Sequence, residues 1–64
     1  VDVMMRVRRF LRRTDMPVTR FGREAAGDPR LLRDIANGRQ LGPKLTARIA
    51  AYLDRMERDQ GAGR

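Results

Sequence analysis

The chain has 64 residues and neither cysteine nor histidine, so it has room for one small domain that neither disulfides nor the commonest zinc ligands can reinforce. Its 15 Lys+Arg against 8 Asp+Glu leave a net charge of +7, and fourteen of the fifteen cations are arginine, whose planar fork suits phosphates and guanine edges. With no histidine to act as general base and eight carboxylates scattered over helix surfaces, the chain reads as no enzyme, with no metal and no cofactor, and as a binding module for a polyanion.

The rest of the composition is that of a folded protein. Hydrophobic residues make up 41% of it, more than a disordered basic tail carries. No apolar run approaches the ~20 residues of a membrane span and the start is not a secretory signal, so no membrane partner is expected and the cytoplasm is the default compartment.

In chain order, proline, glycine and aspartate divide the sequence into four helical segments. The first, residues 3–13, sets Met4, Val7 and Leu11 on one stripe with Val3 and Phe10 beside it; Arg6, Arg9 and Arg13 lie opposite, with Arg8 and Arg12 on the flank. Thr14, Asp15 and Pro17 end it, and Asp15 or Met16 is the expected N-cap of the next helix. That second helix, residues 18–26, turns Val18, Phe21, Gly22 and Ala25 inward and stops at Gly27. Asp28-Pro29 pairs an N-cap acceptor with a proline at the first helical position. A third helix is therefore predicted over 29–37, burying Leu32, Ile35 and Ala36 and closing at Asn37-Gly38. After a connector at 39–41, Gly42-Pro43 repeats the start signal, and a fourth helix over 43–58 carries Leu45, Ile49, Tyr52, Leu53 and Met56 on one face. No segment alternates with period two, so the expected fold is all-α: a compact four-helix domain over 1–59 with a flexible tail at 60–64.

The second and third helices are short and joined by one tight turn containing glycine, which is the helix-turn-helix arrangement. Its two helices cross closely, so one position in the first must be very small. Gly22 falls there, in mid-helix, where glycine otherwise costs roughly 1 kcal/mol relative to alanine. From Val18 to Leu53 the sequence resembles the Xre-type helix-turn-helix regulators, the group of the phage Cro proteins and the lambda repressor DNA-binding domain. Phe21-Gly22 stands where that family has a leucine and a small alanine, Asp28 at its serine cap, and Leu32 at its buried aliphatic residue. Ile35-Ala36-Asn37-Gly38 matches the end of the family's recognition helix, and Gly42-Pro43 with Leu45, Ile49 and Leu53 resembles the proline and aliphatic ladder that follow. The resemblance implies a lambda repressor-like fold and a bacterial or phage-derived transcriptional regulator, acting on double-stranded DNA in the nucleoid. The chain departs from the family pattern at Val18, where a phosphate-holding glutamine is common, and at Ala26-Gly27, where glycine and an aliphatic residue are usual. The family's fifth helix, often used in dimerisation, has no counterpart in this sequence, so the oligomeric state is not carried over.

With Leu32, Ile35 and Ala36 inward, the third helix leaves Arg30, Arg33, Asp34 and Asn37 outward. Arg30 and Arg33 lie toward its N-terminal half, the part that reaches base edges, and each can fork onto guanine O6 and N7. Asp34, four residues beyond Arg30, offers a surface ion pair instead. Pro29 falls where the family often carries a base-reading glutamine and is assigned only a helix-starting role. The resemblance places Asn37, Arg39 and Gln40 where the family's connector meets the backbone or reads one more base. Gln40 is thus a base-reading candidate, and Asn37 and Arg39 are phosphate candidates, with simple capping the alternative for Asn37. Arg20 and Arg23 on the outer face of the second helix, Thr19 beside them and Lys44 at the start of the fourth complete the phosphate set.

Residues 1–14 hold five arginines and one acid, a net +4. That run reads as a solvated face, as a second phosphate-binding surface, or as an amphipathic helix lying on a membrane; the domain's need for the same apolar stripe weighs against the last. A homodimer on a palindrome would use the exposed ends of the first and fourth helices. Two rival functions are a protein-interaction module that docks on RNA polymerase or a toxin, and a non-specific basic nucleic-acid-binding protein. Against an RNA binder, the three aromatics Phe10, Phe21 and Tyr52 all lie on apolar faces, which leaves no stacking platform for single-stranded bases.

Overall fold

The computed structural model describes the backbone of residues 2–62 and the side chains of residues 2–59. Four helices follow in order, α1 (Val3–Thr14), α2 (Val18–Ala26), α3 (Leu31–Ala36) and α4 (Pro43–Ala62), with no strand among the described residues. The all-α class and the four-helix count agree with expectation. α2 packs on both α3 and α4, and α1 packs on α4.

Each helix end has a local chemical cause. Asp2 caps α1, its Oδ1 accepting the Met4 N–H at 3.0 Å. At the far end Asp15 turns left-handed (φ 59°) and its N–H closes on the Leu11 carbonyl at 2.9 Å. Neither Asp15 nor Met16 then caps α2, contrary to expectation. Pro17 holds the N-cap position with no side-chain bond, and its carbonyl receives the Phe21 N–H at 3.0 Å. Asp15 is excluded because its backbone already finishes α1.

α3 is shorter than predicted. Asp28 does cap, accepting the Arg30 N–H at 2.9 Å, but what it caps is a turn through Pro29 and Arg30 whose Leu31 N–H returns to the Asp28 carbonyl at 3.1 Å. The helix begins only at Leu31, so Pro29 is a turn residue and not the first helical one. Gly38 takes the positive φ (106°) that ends it, while Asn37 stays at φ −92°. α4 runs four residues past the predicted 58, taking in Gln60, Gly61 and Ala62 of the expected tail; residues 63 and 64 lie outside the described ones.

Eight side chains form the core: Val7 and Phe10 from α1, Phe21 and Ala25 from α2, Leu31 from α3, and Ile49, Tyr52 and Leu53 from α4. At its centre the three aromatic rings meet, Phe10–Phe21 at 5.9 Å, Phe10–Tyr52 at 6.1 Å and Phe21–Tyr52 at 5.5 Å between centroids, the two Tyr52 pairs edge-on. Such pairs add roughly 0.5–1.5 kcal/mol each beyond burial. Two expectations about burial fail. Leu31, not Leu32, is the fully buried residue of α3; Leu32 and Ile35 are half-buried and Ala36 is exposed. Val18 is 51% exposed, because it faces the open groove that it shares with Thr19, Pro29, Arg30 and Arg33 and not the core.

Candidate nucleic-acid interface

Gly22 is the point on which the α2–α3 geometry turns. A Cβ built there would lie 2.4 Å from the Asp28 carbonyl oxygen and 3.1 Å from the Leu31 Cβ. The close crossing expected of the pair is therefore present. It seats Leu31 against α2 and turns the opposite side of α3 outward, carrying Arg33, with Arg30 exposed in the turn before it. These two arginines, Pro29, and Val18 and Thr19 from the start of α2 line one shallow groove. Neither arginine forms an ion pair among the described residues, and the Arg30–Asp34 alternative is not made.

Asp34 is engaged elsewhere. Arg39 reaches back from the connector to Asp28 Oδ2 at 2.9 Å and to Asp34 Oδ2 at 3.5 Å, so one guanidinium spans both ends of α3. The Arg30 N–H, and then Arg39, hold the Asp28 carboxyl below its ordinary range. The clamp offsets part of the negative charge of Asp28 and Asp34 and ties down the connector that carries the exposed Asn37 and Gln40. Sequence separation hides it: no local periodicity connects residue 39 to residue 28.

Arg20 is likewise partnered. Its Nε donates to Glu24 Oε2 at 2.8 Å, and the Tyr52 hydroxyl donates to Glu24 Oε1 at 2.8 Å, tying α4 to α2. Arg23, Thr19 and Lys44 are exposed, and neither Arg23 nor Lys44 forms an ion pair among the described residues. On α1, Arg6 departs from its expected place on the outer face and reaches Asp54 at 2.7 Å and Glu57 at 3.2 Å on α4.

No family model, curated protein or solved structure matched the chain. Among the described residues no cluster of three or more carboxylates is placed to hold a metal ion, and no helix is long and apolar enough to cross a membrane.

The Tyr52–Glu24 bond gives a pH dependence. Burial first, and the Glu24 carboxylate second, push the Tyr52 hydroxyl up to about 12 from an ordinary value of 10.0. The folded state holds this proton more tightly than the unfolded chain, so the stability it contributes is whole below pH ~10 and is lost as the pH rises toward ~12. Melting temperatures followed by circular dichroism should fall between pH 10 and 12 more steeply for the parent than for Tyr52→Phe. Parallel curves would refute the assignment.

Proposed function

We propose that the chain is a sequence-specific, double-stranded DNA-binding transcriptional regulator of the Xre/Cro helix-turn-helix type, working in the bacterial cytoplasm. The observation that carries the proposal is the Gly22 notch. It lets α3 cross close to α2, burying Leu31 and leaving Arg30 and Arg33 exposed, and unpaired among the described residues, beside the start of α2. In this reading α3 enters the major groove, Arg30 and Arg33 fork onto guanine edges, and Gln40 reads from the connector. Thr19, Arg20, Arg23, Asn37 and Lys44 meet phosphates, which fix register without reading sequence. Arg39 joins them only by loosening its hold on Asp28 and Asp34.

The preferred site comes from selection against a random duplex library, and competition with a scrambled duplex then tests the roles. Arg33→Ala is expected to reduce discrimination at one base pair by roughly tenfold, within the 1–3 kcal/mol typical of a bidentate contact. Arg23→Ala, which disturbs no ion pair, should weaken both duplexes equally. Equal losses for the two variants on both duplexes would refute base reading by Arg33.

A second reading has one observation behind it. Met4, Val7 and Leu11 of α1 and Leu32, Ile35 and Ala36 of α3 line a mostly apolar groove with Arg8 at its edge, and its members, Val7 apart, remain half-buried or exposed. A protein partner such as the transcription machinery would dock there, and salt-insensitive binding to protein without affinity for duplex DNA would favour it.

A further inference from the structure

The side of α1 turned away from the core is made by Arg8, Arg9, Arg12 and Arg13 around Met5, all exposed, Met5 by 55%. None of these four arginines forms an ion pair among the described residues, whereas Arg6, Arg20 and Arg39 are all held by acids. The nearest acids in sequence, Asp2 and Asp15, flank the helix and cap its two ends. Arg8 and Arg12, and Arg9 and Arg13, are like charges four apart on one helix, an arrangement that destabilises the free protein. The helix dipole offsets this for Arg12 and Arg13 in the last turn but not for Arg8 and Arg9 a turn earlier. A surface that only keeps a protein soluble intersperses the two signs.

We propose that this face of α1 is a second binding surface, for the phosphate backbone of a nucleic-acid duplex. Arginine's planar fork matches phosphate oxygens. Residues four apart on a helix are about 6 Å apart along its axis, so successive arginines of one row can meet separate phosphates of one strand, which recur every ~3.4 Å of duplex axis. An anionic membrane is the poorer occupant, since it needs apolar side chains to insert. Val7 and Phe10 are each 1% exposed, and Met4 and Leu11 pack part-buried against the core, so on the arginine face itself Met5 is the one exposed large apolar side chain among the described residues. The surface goes beyond the function proposed above: α1 packs on α4 while α3 packs on α2, so binding here requires no base reading by α3.

The test uses the full chain and a plain duplex without a selected site. Binding is measured across a salt series for the parent and for the variant Arg8→Gln/Arg9→Gln/Arg12→Gln/Arg13→Gln. The slope of log K against log salt should become shallower by about 3–4, at ~0.9 per phosphate contact, with helix content unchanged by circular dichroism. An unchanged slope overturns the proposal, as does a parent without affinity for the plain duplex. Should the fourfold variant not fold, Arg8→Gln/Arg9→Gln, clear of the last turn, should lower the slope by about 2; no change there overturns the proposal equally. Tighter binding to anionic vesicles than to duplex at the same salt would overturn the duplex as the ligand. A slope change without any sequence preference from library selection leaves this surface standing and removes base reading by α3; preference with an unchanged slope does the reverse.

Discussion

Gly22→Ala is expected to lower the stability of the domain by about 1–3 kcal/mol, the usual cost of forcing extra volume into a packed site. The new Cβ would meet the Asp28 carbonyl oxygen at 2.4 Å. That oxygen cannot swing aside freely, because it receives the Leu31 N–H at 3.1 Å and so holds the turn that starts α3. Alanine's better helix propensity offsets roughly 1 kcal/mol of the strain without removing its cause. A 64-residue chain at roughly 0.05–0.15 kcal/mol per residue has little to lose, and each kcal/mol moves the midpoint by about 4–8 °C. Thermal unfolding followed at 222 nm on the order of 5–15 °C below the parent is the expected result. A midpoint at or above the parent's would mean that α2 and α3 cross less closely than described.

Phe21→Ala should have the largest effect of any single truncation, about 3–5 kcal/mol. Phe21 is fully buried, and its ring lies 5.9 Å from that of Phe10 and 5.5 Å from that of Tyr52, so the hole would open where α1, α2 and α4 meet. None of the three can close on it without leaving the other two. The loss rivals the whole stability of the domain, so urea titration should show no cooperative transition. Phe21→Leu, which refills most of the volume, should keep the transition at a lower midpoint. A cooperative transition for Phe21→Ala near the parent's midpoint would refute this account of the core.

Local chemistry made most of the fold readable. Pro17, Gly27, Gly38 and Pro43 mark helix limits through backbone constraints that operate whatever packs around them, and Phe10, Phe21, Ile49, Tyr52 and Leu53 announce themselves by helical spacing. The inward face of α3 was misread, for a definite reason. Leu31 with Ile35, and Leu32 with Ile35 and Ala36, are both acceptable apolar stripes; the choice falls to Leu31 because the Gly22 notch receives it, a fact about the crossing and not about α3. Val18 has the same origin: its spacing from Phe21 and Gly22 is correct, but what it faces is the open groove with Pro29, Arg30 and Arg33, not the core. At the candidate site, the outward placement of Arg30 and Arg33 could be foreseen, whereas the Arg39 clamp on Asp28 and Asp34 and the reach of Arg6 to Asp54 and Glu57 join residues that no periodicity relates.

The brevity of α3 has a consequence for how the molecule breathes. Among its six residues only Leu31 is fully buried, and the Arg39 ion pairs that brace it are exposed to water. Opening this helix costs the burial of Leu31 and the partial burial of Leu32 and Ile35, less than dismantling the aromatic centre, so its amide protons are expected to exchange through local excursions while those of α2 and α4 wait for global unfolding. Any ligand that grips α3 must draw on the closed fraction of that equilibrium, and its measured affinity includes the free energy of holding α3 shut.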